Sequence, residues 1–161
     1  MLPCSGTRAA QADWLAQGAS PMTDQDSVAA VQALLFDYIE KFNSGDFTAA
    51  AASYHFPFSW IIGTGIATAF TAEDFITRMH AMRDGLLAQG FERSELVACT
   101  VRMLGADAAL AGVEVVRHFG DGRETETTGG TYTVHHDGAQ WRLANIIGHP
   151  IEAIVGRGGA D

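Results

Sequence analysis

The sequence predicts an α+β fold in which a cone-shaped, strongly curved antiparallel sheet packs against three helices. Two observations carry this prediction: apolar residues at helical spacing follow capping signals in the first half, and apolar residues alternate with others after Gly90. Because helices and strands are segregated along the chain, the class is α+β and not α/β. The length of 161 residues suits one domain, which we expect to span residues 23–150.

The first helix begins at a capping box, Thr23–Asp26, in which a hydroxyl cap is followed by a carboxylate three residues on. Gly45 can take the left-handed conformation that ends a helix. Asp46 can cap a short second helix, which Pro57 closes because it disfavours helical geometry at the preceding residue. The apolar stripe of the first helix consists of Val28, Val31, Leu35, Tyr38 and Phe42.

The remaining elements follow from turn signals. Two apolar runs, residues 58–62 and 66–70, flank Gly63-Thr64-Gly65 and predict a hairpin. A second capping box, Thr71–Asp74, starts a third helix that ends near Gly90. Four long antiparallel strands follow, separated by turns at Gly105-Ala106-Asp107, Asp121-Gly122 and Asp137-Gly138.

Composition and charge exclude several classes of function. Nineteen acidic residues against ten basic ones give a net charge of −9 with no local basic stripe, so no nucleic-acid partner is expected. The longest uncharged stretch, residues 47–72, is interrupted by polar residues, glycine and proline, so no membrane span is expected. Cys4 and Cys99 lie far apart without metal-ligand spacing, which argues against a disulfide framework or a cysteine-built zinc site.

The two ends differ from the domain between them. Residues 1–22 lack the apolar core of a signal peptide, so we interpret them as a mobile arm of a cytoplasmic protein. Residues 151–161 end in a glycine-rich stretch and are interpreted as a flexible tail.

The order of elements and the run Asn43-Ser44-Gly45-Asp46-Phe47 resemble the nuclear transport factor 2-like superfamily, over about Thr23 to Pro150. This group includes ketosteroid isomerases, SnoaL-like polyketide cyclases and scytalone dehydratases. The resemblance implies an interior cavity and a homodimer formed through the outer sheet face. It implies no particular activity, because one fold serves many functions.

The ketosteroid isomerases give the most informative comparison. The resemblance places Tyr38 at their helix-one tyrosine, which hydrogen-bonds the substrate oxyanion, and Tyr132 at their second oxyanion donor, a protonated acid. Their general base, an aspartate, falls on or near Ile62, where this chain has none. Two phenols can still polarise a carbonyl, because a tyrosine hydroxyl with a pKa of about 10 stays protonated.

Strand alternation selects further candidates on the last hairpin. A two-residue turn at Asp137-Gly138 pairs Tyr132 with Leu143 and Val134 with Trp141, and it places Asn145 on the apolar inner face. There Asn145 either lines a pocket or satisfies buried backbone groups. Tyr132 either lines the pocket or packs in the core.

The strand before it allows two interpretations. By hydrophobicity, the inner face of this strand is predicted to consist of Ala111, Val113, Val115, Arg117 and Phe119. The offsets from the Asp121-Gly122 turn that the resemblance implies predict an inner face of Leu110, Gly112, Glu114, Val116 and His118. In the second case Glu114 or His118 can act as a general base. In the first, Arg117 pairs with Glu126 and His118 lies at the rim.

Three further residues are candidates by location. His55 lies where the second helix meets the first strand, at the pocket mouth that the resemblance implies, and is either an acid/base group or a structural histidine. Trp60 and Met79 are predicted ligand contacts, with core packing as the alternative. No metal site is expected, because His135 and His136 are adjacent on a strand and point to opposite faces.

The sequence leaves two functions open. One is a cofactor-independent proton-transfer enzyme (isomerase, cyclase or dehydratase) acting on a small apolar carbonyl or hydroxyl compound, with Tyr38 and Tyr132 as hydrogen-bond donors. The other is a non-catalytic ligand-binding or association module with the same cavity. The missing aspartate favours the second, whereas the ionisable candidates favour the first. The position of His55, Glu114 and His118 relative to the two phenols discriminates between them.

Overall fold

The computed structural model describes residues 23–120 and 122–154, in which three helices accompany one six-stranded sheet. The helices are α1 (Asp24–Ser44), α2 (Phe47–Ala51) and α3 (Ala72–Leu87). The strands are β1 (Tyr54–Ile62), β2 (Gly65–Ala69), β3 (Phe91–Met103), β4 (Ala108–Phe119), β5 (Glu126–His136) and β6 (Trp141–His149). The strand order β2-β1-β6-β5-β4-β3 leaves the sheet open, and the predicted α+β class is confirmed.

The motif at the end of α1 connects three elements. The Asn43 side chain donates to the Ser94 carbonyl at 2.8 Å and accepts from the Ser94 N–H at 2.7 Å, which fixes α1 to β3. From α3, Arg83 donates to the carbonyls of Phe42 and Asn43 in the last turn of α1. Gly45 ends α1 with a φ of 77°, as predicted.

The local start signals are also confirmed. Thr23 and Asp26 form the capping box of α1, and the Asp46 carboxylate accepts from the Ala49 N–H at 3.0 Å to cap α2. At α3, the Thr71 hydroxyl accepts from the Asp74 N–H at 3.2 Å, as predicted. The Asp74 carboxylate accepts from the Phe70 N–H instead of the Thr71 N–H, so the second capping box is only half formed. The three caps join residues three apart in the chain, which is why local spacing predicts them.

The sheet is mixed instead of wholly antiparallel. β1 runs parallel to β6, whereas all other neighbouring strands are antiparallel. The β1–β6 ladder is irregular between the pairs Tyr54–Leu143 and Ser59–Asn145, because β1 has three more residues there than β6. This pairing joins the first and last strands of the domain, so no local spacing indicates it.

The predicted register of the last hairpin is wrong. The turn has four residues, with the Asp137 N–H donating to the Gln140 carbonyl, so Val134 pairs with Leu143. This shift of two residues keeps the side chains on their predicted faces. A bulge in β6 at Ala144 then reverses the faces beyond Leu143, because it adds one residue to β6 only.

The bulge decides where Asn145 points. Asn145 pairs with Thr133 on the outer face and accepts a hydrogen bond from its hydroxyl, while Ile146 pairs with Tyr132 on the inner face. The prediction that Asn145 faces the interior is therefore wrong.

The predicted C-terminal tail begins too early. Ile151–Ala153 forms a 3-10 helix, and Ile154 is buried. The rest of that tail, and the predicted arm at residues 1–22, lie outside the described residues. Among those described, no helix is long and apolar enough to cross a membrane.

Candidate functional site

A half-open cavity of about 130 Å³ lies between α1 and the inner face of the sheet. For scale, an engineered apolar cavity of about 150 Å³ binds benzene. Ile62 and Met82, which are 64% and 39% exposed, stand at its opening. The other lining residues are Tyr38, Ile39 and Phe42 of α1, Trp60 of β1, Ser94 of β3, Val113, Val115 and Arg117 of β4, Thr128, Gly129, Gly130 and Tyr132 of β5, and Ile146 of β6.

Two adjacent glycines of β5 let the strands approach closely beside the cavity. A Cβ atom on Gly129 would come within 2.8 Å of the His149 carbonyl oxygen, and one on Gly130 within 3.1 Å of the Ile146 side chain. Any larger residue at Gly129 would therefore force the backbone of β6 away.

The three tyrosines of the chain form one buried cluster, in which Tyr38 and Tyr132 line the cavity floor and Tyr54 packs against Tyr38. The ring centroid of Tyr38 lies 5.6 Å from that of Tyr54 and 6.5 Å from that of Tyr132, and each pair meets edge to face. The hydroxyl of each of these tyrosines affects the pKa of the other two. Burial raises the pKa of Tyr38 to about 12 and the pKa values of Tyr54 and Tyr132 well above 10. All three hydroxyls therefore keep their protons at neutral pH and can donate.

The sequence does not indicate Tyr54 as a site residue, because its position in the chain places it in the predicted second helix. It begins β1 instead, and its ring packs edge to face against that of Tyr38. A tyrosine immediately before the His-Phe-Pro run is too weak a signal to predict this contact.

Arg117 is the one charged side chain among the described residues that line the cavity. It extends from the inner face of β4, and a carboxylate oxygen of Glu126 lies 4.0 Å from its guanidinium. Glu126 is also paired with Arg123. The charge of Arg117 lowers the pKa of Tyr38 against the larger opposing effect of burial, so its field reaches the cavity floor.

The inward face of β4 is thus the one that hydrophobicity predicts. Glu114, Val116 and His118 alternate with the lining residues and lie on the outer face. His118 is bound there to Glu95, with 3.0 Å between Nε2 and Oε2. The expectation that these three line the cavity is wrong. β4 buries its apolar side chains on the inner face, and this places Glu114, Val116 and His118, which alternate with them, on the outer face. The offsets counted from the turn predicted the opposite face.

Of the other candidates, Trp60 lines the cavity, whereas His55 and Met79 do not. His55 lies against His135, with 3.3 Å between Nε2 and Nδ1, and is absent from the cavity wall. Burial lowers the pKa of His55, as do the nearby His135 and Arg142. Met79 is 1% exposed within the core, and Met82, on the same helix, contacts the cavity instead. Trp60 lines the cavity and stacks on Phe75, with 5.9 Å between ring centroids and planes 9° apart.

The cavity therefore supplies hydrogen-bond donors and one positive charge on apolar walls. Among the described residues that line it, none is a carboxylate or an imidazole. Across residues 23–120 and 122–154, no group of three or more His, Cys, Asp or Glu side chains is arranged to hold a metal ion. Such a site can bind and polarise an oxygen atom, but these lining side chains include no general base.

Fold and cavity define an open-sheet α+β domain with a small apolar pocket. The chain belongs to a family of NTF2-like proteins, DUF6841, whose profile matches residues 25–151. No curated protein matches the chain.

Solved structures with the same fold share little sequence with this chain. An NTF2-like protein with a cystatin-like fold from Novosphingobium aromaticivorans is 20% identical, covering 74% of this chain and 79% of that one, with a TM-score of 0.62. A proposed dehydratase of the NTF2-like family from Streptomyces avermitilis is 16% identical, covering 80% and 98%, with a TM-score of 0.63. A cystatin-like domain of unknown function from Nostoc punctiforme is 18% identical, covering 79% and 78%, with a TM-score of 0.63.

Proposed function

We propose that this chain binds a small, mainly apolar molecule in the cavity, with one oxygen of that molecule directed at the hydroxyls of Tyr38 and Tyr132. One observation carries the proposal: two buried phenols face a common, half-open hollow whose other walls are mostly apolar. Pockets of this composition, with a few placed polar groups, are typical small-molecule sites.

The dimensions limit the ligand. A volume of about 130 Å³ suits a single ring or a short branched chain, judged against the benzene-sized cavity of about 150 Å³. The stacked pair Trp60–Phe75 gives the ring a rigid wall. Burial of the ligand's apolar surface would provide most of the affinity, and the phenols would fix its orientation.

Binding without catalysis is the function that the geometry supports best. His55, Glu114 and His118, the candidate acid/base groups, all lie outside the cavity wall. Proton transfer on a carbonyl or hydroxyl compound is the second candidate. It is favoured by the two phenols, which can polarise a carbonyl, and by the resemblance in fold to a proposed dehydratase. It needs a base other than the described lining residues.

Blocking the cavity tests the proposal with a matched pair of variants. Val115→Trp directs an indole into the cavity, whereas Val116→Trp places the same group on the outer face one residue away. A panel of uncharged and acidic one-ring compounds is screened by thermal shift, since a ligand that binds the folded state raises the melting temperature. We expect hits with the parent and Val116→Trp, and none with Val115→Trp.

Retained binding in Val115→Trp, or no hit with the parent protein, would contradict the proposal. Should Val115→Trp fail to fold, Ile39→Trp closes the same cavity from α1. Circular dichroism melting of each unliganded variant establishes that it is folded before binding is compared.

A further inference from the structure

We infer that the molecule held in this cavity is an apolar acid, bound as its carboxylate anion by the guanidinium of Arg117. The inference rests on the proposed function, because it names the chemical class of ligand for the same cavity. It adds a specificity-determining residue that the resemblance to ketosteroid isomerases does not supply.

The position of Arg117 makes it available to a ligand. Arg117 pairs across the sheet with Ser94 on one side and Glu126 on the other, and its side chain is 28% exposed. A guanidinium has five N–H donors in a planar fork that matches a carboxylate. The 4.0 Å contact with Glu126 is longer than a hydrogen bond, so it leaves that fork able to bind a second acceptor.

The competition for Glu126 favours the same conclusion. Arg123 holds the other carboxylate oxygen of Glu126 in a closer ion pair. Glu126 is therefore shared between two guanidinium groups. Among the described residues, the partner of the partly desolvated Arg117 is thus this shared carboxylate at 4.0 Å, and a ligand carboxylate at hydrogen-bonding distance would stabilise the guanidinium further.

The cavity favours a ligand that carries a negative charge and is otherwise apolar. The chain carries a net charge of −9, yet Arg117 is the charged group among the described residues that line the cavity. The net negative charge of the protein repels anions in general, whereas the positive charge of Arg117 attracts an anion to the cavity. Walls of Val, Ile, Phe and Trp side chains suit a carboxylate attached to a ring, whereas inorganic phosphate has no apolar part that these walls could bury.

The experiment compares benzoate with benzamide, which have nearly the same shape and differ in charge. Their dissociation constants are measured by isothermal titration calorimetry at pH 7 with the parent chain. We expect benzoate to bind about tenfold or more tightly than benzamide, as befits a charge-assisted hydrogen bond. In Arg117→Gln, benzoate affinity falls about tenfold while benzamide affinity changes less than about twofold.

Arg93→Gln is the matched control. Arg93 is 52% exposed, is paired with Glu95 and does not line the cavity, so this variant keeps the preference for benzoate. An equal loss of benzoate affinity in Arg93→Gln would assign the effect to overall charge and would overturn the inference.

The outcomes separate the inference from the proposed function. If benzamide binds the parent as tightly as benzoate and Val115→Trp abolishes both, the cavity is the site and the inference fails. If neither probe nor any uncharged one-ring compound binds, the proposed function fails with it. Misfolding of Arg117→Gln does not rescue the inference, because equal affinity of the parent chain for the two probes overturns it without that variant.

Discussion

The two faces of β4 and β5 come from one stretch of sequence and have different chemistry. The outer face carries ionisable and hydroxyl side chains that bind one another, such as His118 with Glu95 and Thr131 with His149. The inner face carries apolar side chains, Tyr132 and Arg117 around the cavity. By residue type, Glu114 and His118 are candidate functional residues. Because side chains alternate between the two faces of a strand, they lie on the outer face and not at the cavity.

The largest expected effect comes from placing the same polar group on each face. Val113→Asn buries an amide at a 5% exposed position of the inner face and is expected to cost about 3 kcal/mol of unfolding free energy. Val116→Asn, on the half-buried outer face, should cost about 1 kcal/mol. Urea denaturation measures both, and equal losses would contradict the assignment of faces.

The tyrosine cluster gives the next largest effect, at high pH. The pKa of Tyr38 is raised to about 12 in the folded chain, so the folded state keeps a proton that the unfolded chain loses near pH 10. Stability is therefore present below pH 10 and falls as pH rises towards 12, by roughly 2 to 3 kcal/mol.

Ultraviolet titration measures this cluster directly, since the chain has three tyrosines and all belong to it. We expect no tyrosinate absorbance below about pH 11 in the folded protein, and ordinary titration near pH 10 in urea. Titration of one phenol near pH 10 in the folded state would show that the cluster is open to solvent.

A smaller effect distinguishes two hydroxyls of the same cluster. Tyr38→Phe removes a donor that faces the cavity, and it should weaken binding of the best ligand about threefold to tenfold. Tyr54→Phe removes a hydroxyl whose residue is absent from the cavity wall, so its affinity should change less. Calorimetry compares them, and a greater loss in Tyr54→Phe would argue against direct contact by Tyr38.

The smallest effect belongs to the outer histidines. Because the pKa of His55 is lowered from 6.5, the folded chain binds a proton less readily there than the unfolded chain does. Stability is thus present above pH 6.5 and decreases as pH falls below it. His55→Gln and His135→Gln should both reduce this dependence, measured as the urea midpoint at pH 7.5 and 5.5. Ligand affinity should be unchanged, since neither side chain lines the cavity.

Much of the fold could be predicted because its signals are local. The caps at Thr23, Asp46 and Thr71 each join residues three apart, and Gly45 ends α1 by its own backbone conformation. The motif that contains Asn43 also indicates the family, although only the structure shows that its side chain holds the backbone of Ser94.

The candidate site could be predicted only in part. Tyr38, Tyr132 and Trp60 line the cavity, because helical and strand periodicity already place them on inner faces. The misplacement of Asn145 arose from one bulge, which reverses every side chain after it.

Arg117 shows a different limit. Its type and register indicate a pair with Glu126, and the structure has that pair, but only at 4.0 Å and shared with Arg123. The distance between a guanidinium and its carboxylate partner depends on side-chain conformation, which the spacing of residues in the sequence does not predict.

A crystal structure of the chain with the tightest-binding compound of the panel distinguishes a ligand site inside the cavity from one on the outer face. We expect one molecule inside the cavity, its ring against Trp60 and its oxygen atoms within hydrogen-bonding distance of Tyr38, Tyr132 or Arg117. A compound seated on the outer face beside His118 or His149, with the cavity filled by the chain's own side chains, would contradict it.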